Sequence, residues 1–290
     1  MAGSFINASI SASQGLSVST EDLGDGIVVL RLQSRWTRVL GFDVTPFVVG
    51  DLLVDTGFAH ARPLVLGMLE GREVSAICCT HNHEDHTGNC RAVSSRFSCP
   101  VYLHRAGALW SDGVGKLKPY RRLFWGAPEP YEAQEMPPII VGRRARLKVI
   151  PTPGHSATHV SFFEPHTGTV FVGDLFIASG ASGVMPQENP FALAASLRRV
   201  AALEPRRMLN GHGLDLTEPV ERLLAKAEAV ETAAVEACDL ADRGKSARAI
   251  TRRIFSKGVF KDTSLEVLTQ GEFSRVNFVR AALRHRPRSV

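Results

Sequence analysis

Long apolar runs are missing from this 290-residue chain: no stretch approaches the roughly 20 residues that a membrane-spanning helix requires. A membrane is therefore not expected among its partners. Cysteine is scarce and unpatterned. The five thiols (Cys78, Cys79, Cys90, Cys99 and Cys238) are odd in number and show no CxxC spacing. That argues against a disulfide framework and for reduced thiols in a cytoplasmic protein. The opening MAGSFINASISASQGLSVST has no basic stretch followed by an apolar core, so residues 1–26 read as a flexible or edge segment rather than a secretion signal. Blocks of like charge are also absent. The net charge of +5 is spread along the chain, which suits a small anionic substrate and gives no reason to expect nucleic acid. There are no repeats or low-complexity tracts, and the composition is that of an ordinary globular protein.

What is present is an α/β alternation. GIVVLRL and FVVGDLLVDTG read as strands, the latter a hairpin turning at Gly50-Asp51. ARPLVLGMLEG reads as a helix with Pro63 in its first turn. EVSAICCT and CPVYLH read as strands, and residues 105–138 as an irregular surface insertion. Regular β structure resumes in ARLKVIPTPGH and in HVSFFEPHTGTVFVGDLF, which turns across Pro165–Gly168. A helix, NPFALAASLRRVAAL, and a last strand-like segment, RMLNGHG, follow. Beyond Thr217, read as a helix cap, the composition becomes Ala/Glu-rich and helical. The expected layout is a catalytic α/β body over 27–216 and a helical region over 217–290.

The chemistry concentrates in His81-Asn82-His83-Glu84-Asp85-His86, three histidines and two acids on a loop that follows a strand. His81 and His83, two apart in extended chain, point the same way and suit one metal ion. Asp85 and His86 lie further round the turn and suit a second. Further ligands are expected at other strand ends beside glycines, where the backbone can approach a crowded centre. His155 in PTPGHSATH, Asp174 in VFVGDLF and His212 in LNGHG fit that description. Imidazole and carboxylate donors favour zinc and also accept iron or manganese.

THNHEDHTGN, TPGHSATH, VFVGDLF and NGHG, in this order, resemble the motifs of the metallo-β-lactamase superfamily, and Asp55 in VDTG matches another of them. The resemblance implies an αββα sandwich with a C-terminal helical appendage and two divalent metal ions. Carried over by position, one ion takes His81, His83 and His155. The other takes Asp85, His86 and His212, and Asp174 bridges the pair. His159 and Asp55 are expected to support the site from behind it. β-Lactamases of this fold generally lack the bridging carboxylate, so Asp174 points to glyoxalase II-like and small thioesterase-like branches. The chain carries no segment recognisable as a glutathione-binding signature.

Two such ions would lower the pKa of a bridging water towards ~7, and the resulting hydroxide would attack an ester or thioester carbonyl. Asp85 and Asp174 would orient it and take its proton. The expected activity is thus hydrolysis of a thioester or ester of a small, anionic metabolite, such as an acyl thioester. Phosphodiester cleavage by a phosphodiesterase or nuclease is the alternative, together with lactone hydrolysis, which the absence of any tyrosine after Tyr131 weakens. A non-catalytic signalling protein on this fold would be expected to lose ligands, and all seven are here. Lys116, Lys118, Arg121, Arg122 and Trp125, in the insertion, are candidates to grip an anionic substrate tail. Glu84 is expected to be solvated. The oligomeric state is left open.

Overall fold

The computed structural model describes residues 5–8, 15–108, 117–213, 215–256 and 266–287. The chain forms two compact units. The first comprises Met1–Ile150, Val160–Asp174 and Arg206–Thr217, and the second Pro151–His159, Leu175–Pro205 and Glu218–Val290.

The first unit holds two sheets. One runs in sequence order, with β1 (Phe5–Ala8), β2 (Ser17–Asp22), β3 (Ile27–Gln33), β4 (Phe47–Val49), β5 (Leu52–Val54), β6 (Ala76–Cys78), β7 (Val101–Leu103) and β8 (Gln134–Glu135). The other has the order β14 (Asp215–Leu216), β13 (Arg207–Leu209), β12 (Thr169–Phe171), β11 (Val160–Glu164), β10 (Arg146–Pro151), β9 (Ile139–Val141). The hairpin expected at Gly50-Asp51 is the antiparallel β4–β5 pair, and Gly50 takes φ +61 there. β5, β6 and β7 are parallel, as are β12 and β13. The carboxyl ends of β5 and β6 therefore lie side by side.

Alternation along the strands divides the core. Ile27, Val29, Phe47, Val49, Leu52 and Val54 pack with Leu147, Phe162, Phe171 and Leu209 of the second sheet. Their neighbours Val28, Leu30, Leu32, Val48 and Leu53 face the other way, onto Leu64, Val65, Val93, Phe124 and Trp125 of the outer helices. Both faces of the first sheet are thus buried, which explains runs such as IVVL that do not alternate with polar residues. The rings of Phe47 and Phe171 meet between the sheets with centroids 5.1 Å apart. Burial of each such side chain stabilises the sandwich by about 1.5–3 kcal/mol.

The described part of the insertion, residues 105–108 and 117–138, is more ordered than expected. Pro119 opens helix α6 (Pro119–Trp125), counted after α1 (Arg35–Leu40), α2 (Arg62–Met68), α3 (Glu84–Thr87), α4 (Cys90–Phe97) and α5 (Arg105–Ala108). Tyr120, Arg121, Phe124 and Trp125 of α6 are buried, so it is a packed element.

In the second unit, α7 (Pro190–Ala201) packs on the long α8 (Pro219–Asp242), and α9 (Ala247–Ile254) and α10 (Arg275–Arg284) pack on α8 and on each other. Thr217 does not cap α8. Pro219 occupies the first turn, and Glu218 is the cap residue, in a left-handed conformation with no side-chain bond. Ser246 and Ser274 do cap α9 and α10 through their hydroxyls. Among the described residues no helix is long and apolar enough to cross a membrane. All five cysteines are buried and free.

Candidate metal centre

Six of the seven expected ligands lie in the first unit, and strand ends place them. The turn after β6 delivers His81 and His83. The single-turn helix α3 delivers Asp85 and His86, the end of β12 delivers Asp174, and the end of β13 delivers His212. One ligand atom each of His81, His83 and Asp174 lies within 4.8 Å of the others, and the same holds for Asp85, His86 and His212.

Asp174 faces both groups. Its Oδ2 is 3.8 Å from His81 Nε2, while its Oδ1 is 3.2 Å from both His86 Nε2 and His212 Nε2. Asp85 Oδ2 is 3.9 Å from His212 Nε2 and 4.0 Å from His86 Nε2. Ligand atoms bound tetrahedrally at ~2.1 Å from an ion stand about 3.4 Å apart. The separations in this cluster, from 2.8 Å between His81 Nε2 and His83 Nδ1 to 4.0 Å between His86 Nε2 and Asp85 Oδ2, bracket that spacing.

Hydrogen bonds behind the ligands determine which nitrogen each ring turns inward. Asp55 Oδ1 accepts the Thr80 N–H at 2.8 Å, and its Oδ2 accepts the Thr80 hydroxyl at 2.8 Å. With its proton committed there, Thr80 Oγ1 can only accept from His81 Nδ1, 3.0 Å away. Asp55 Oδ2 also lies 2.8 Å from His86 Nδ1. The main-chain carbonyl of Asp43 accepts from His212 Nδ1 at 3.0 Å. His81, His86 and His212 therefore carry a proton on Nδ1 and turn Nε2 inward, His86 and His212 towards Asp174 and His81 towards His83 Nδ1, 2.8 Å away, and Asp174. Buried His86 Nε2 makes no well-formed hydrogen bond. Lone pairs directed at a carboxylate repel each other unless a cation lies among them, and this donor set fits divalent metal.

The ionisation of these groups tells the same story. Burial alone would depress His86, but the Asp174, Asp55 and Asp85 carboxylates outweigh it and raise the imidazole well above its ordinary value. His212 is likewise raised against burial, by Asp174 and Asp85. Burial would raise Asp174, but His212 and His86 hold it well below the usual carboxylate range. The cluster demands positive charge, as ions or as protons.

Glycine makes room for this crowding. A Cβ on Gly211 would stand 2.6 Å from His86 Cε1 and 3.1 Å from Asp174 Oδ1. In the second unit, His155 sits on the Pro151–His159 loop with Nδ1 3.5 Å from Glu188 Oε2. His159 Nδ1 lies 2.8 Å from Thr152 Oγ1 in the same loop.

The substrate candidates scatter. Lys116 lies outside the described residues. Lys118, at the start of α6, and Arg122 are both exposed. Trp125 is buried, with its ring 6.1 Å from Phe42 and 5.6 Å from Phe58. Arg121 is buried and bound to Glu84 by the Nε and Nη2 donors of one guanidinium edge, with Nη2 2.8 Å from Oε2. The expectation of a solvated Glu84 is corrected accordingly: it is 5% exposed and half of a buried ion pair. Reading the sequence also missed Glu188, Thr80 and the Asp43 carbonyl.

A two-sheet α/β sandwich with a histidine and aspartate cluster at its strand ends defines a class of metal-binding protein. The chain belongs to the metallo-β-lactamase superfamily, whose family model matches residues 45–212. Its fold is that family's αββα sandwich, with a C-terminal helical region. A hydroxyacylglutathione hydrolase of Nitrosococcus oceani is 28% identical over 166 residues, covering 56% of this chain and 57% of that protein. One from Methylobacillus flagellatus is 30% identical over 183 residues, covering 62% of each. The chain thus spans little more than half the length of these curated relatives. A metallo-β-lactamase family protein from Thermus thermophilus superposes with a TM-score of 0.63 at 20% identity, over 91% of this chain and 93% of that one. A protein solved in a di-iron-bound form superposes with a TM-score of 0.52 at 29% identity, over 62% and 92%.

Proposed function

We propose that the chain is a dinuclear metal-dependent hydrolase that cleaves a thioester or ester of a small anionic metabolite. The observation that carries this reading is Asp174, whose two carboxylate oxygens face the two ligand groups separately. His81, His83 and, by its motif, His155 would hold one ion. Asp85, His86 and His212 would hold the other, with Asp174 shared. Zinc suits this donor set first, and iron or manganese are accommodated by the same ligands. Bound there, two divalent ions would make water a nucleophile at neutral pH and polarise a carbonyl oxygen.

The chain's own residues do the rest. Asp85 and Asp174 orient the attacking water and take up its proton. Asp55, Thr80 and the Asp43 carbonyl hold three imidazoles in the metal-accepting tautomer. Lys118 and Arg122 are the remaining candidates to meet an anionic tail. Arg121 is committed to Glu84, and Trp125 to the aromatic core. The hydroxyacylglutathione hydrolases among the relatives favour a thioester. Five free, buried thiols favour a reducing, cytoplasmic setting.

The test is metal analysis of the purified protein beside a panel of an acyl thioester, a lactone and a bis-aryl phosphodiester. Two equivalents of metal with thioester turnover are expected. One equivalent or none sinks the dinuclear reading, and phosphodiester turnover alone moves the chain to the nuclease-like alternative. Proton competition gives a second expectation. Binding an ion requires neutral imidazoles, and His86 and His212 hold protons above the ordinary histidine range in the metal-free protein. Each displaced proton costs about tenfold in apparent affinity per pH unit below its pKa. Apparent metal affinity should therefore fall steeply from pH 8 to pH 6 in a competitive chelator titration. A flat profile across that range contradicts the protonation scheme.

A further inference from the structure

The insertion reaches the metal-binding loop through a buried ion pair. Arg121, on α6, forks the Nε and Nη2 donors of one guanidinium edge onto the two oxygens of the Glu84 carboxylate, and both residues are buried. Glu84 and Thr87 are the first and last residues of α3, the single turn that carries Asp85 and His86. A four-residue helix has no stability of its own, and His83 at its start provides no side-chain cap. Its shape must come from tertiary clamps. Those at hand for the histidines are already described, the Asp55 carboxylate for His86 and the Asp43 carbonyl for His212. Among the described residues, no hydrogen bond holds the Asp85 carboxylate. Its aim towards His86 and His212 is therefore inherited from the backbone beside it, which Glu84 anchors.

We propose that Arg121 is a positioning residue for the Asp85–His86–His212 subsite, acting through Glu84 to hold Asp85 in place. This rests on the two-metal reading above. The planar fork matters: a lysine would keep the charge but contact the carboxylate at one point. The pairing also keeps the Arg121 cation engaged by Glu84, so that Asp85 remains free for an incoming ion.

The experiment is stepwise titration of the metal-free protein with cobalt(II) chloride, followed by its visible absorption, for the wild type, R121K, R121M, E84Q and the double variant E84Q/R121M. The wild type should take up two equivalents. In R121M and E84Q the first step should be unchanged and the second weakened at least tenfold, with R121K intermediate or equally impaired. Removing one partner of a buried pair can unfold a protein, whereas replacing both with neutral groups of similar size is far better tolerated. The double variant therefore serves as the folded control, and its second step should be weakened too. A purely structural pair would lower the melting temperature and leave both steps as in the wild type, and that outcome overturns the proposal. A wild type that takes up one equivalent overturns the two-metal reading and this inference with it. Two normal equivalents in folded variants overturn this inference alone.

Discussion

Asp174→Asn is expected to lower kcat/KM for thioester hydrolysis by on the order of 10³-fold, about 4 kcal/mol of transition-state stabilisation. The substitution should nonetheless leave a folded protein. Asp174 is buried between three Nε2 atoms, at 3.8 Å from His81 and 3.2 Å from His86 and His212. The carboxylate and the imidazoles facing it require positive charge among them, as bound ions or as protons on His86 and His212. An asparagine amide carries no charge, and its NH₂ can donate to one of those imidazoles, so the cluster becomes self-sufficient without metal. The metal-free variant should match or exceed the metal-free wild type in melting temperature while losing bound metal. Elemental analysis, calorimetry and thioester assays together decide it. Two retained equivalents with activity within tenfold of wild type would show that Asp174 does not join the two groups.

Asp55→Asn should weaken metal binding about 10- to 100-fold, the usual cost of disturbing a group that orients a ligand. Asp55 touches no ion in the proposed arrangement, but its two oxygens accept three bonds, from the Thr80 amide, the Thr80 hydroxyl and His86. Asparagine has one accepting oxygen. If that oxygen faces the Thr80 amide, the NH₂ meets His86 Nδ1, forces the proton onto Nε2 and blocks the ligand atom. If it faces His86, the NH₂ opposes the Thr80 amide donor. Backbone strain does not confuse the comparison, because Asp55 has φ +58 and asparagine is among the residues that tolerate this region. Asp55→Ala, lacking that tolerance and leaving buried donors unsatisfied at about 1–3 kcal/mol each, should be the less stable protein. An asparagine variant with wild-type affinity in chelator competition would remove Asp55 from the account.

The two substitutions concern residues of different legibility. Asp174 and His212 stand out in the sequence because an apolar run ends on a polar residue beside a glycine. The His81–His86 loop stands out by density alone. Asp55 was visible only through the family motif, since one aspartate after a strand carries no signal of its own. The Glu84–Arg121 pair was not legible. It joins residues 37 apart in sequence through an insertion without clear periodicity, although Pro119 and Gly126 mark the ends of the helix that carries Arg121. The Asp43 contribution could not have been read at all, because a main-chain carbonyl looks the same at every position. The α8 boundary was misread for a local reason: Thr217 resembles a cap, but Pro219 decides where the helix begins.

The parallel β12–β13 pair has a consequence for how the protein acquires its metal. Asp174 and His212 end neighbouring strands, yet the chain between them must complete a long crossover before the two side chains can meet. His86 comes from the other sheet. A nascent or unfolded chain can offer an ion only the local histidines of the 81–86 loop. The full ligand set exists only once the long-range pairing is complete. Free metal should therefore bind the native state far more tightly than any precursor and raise the unfolding free energy as RT ln(1 + [M]/Kd). Metal supply then becomes a folding variable, and chelation should favour unfolding.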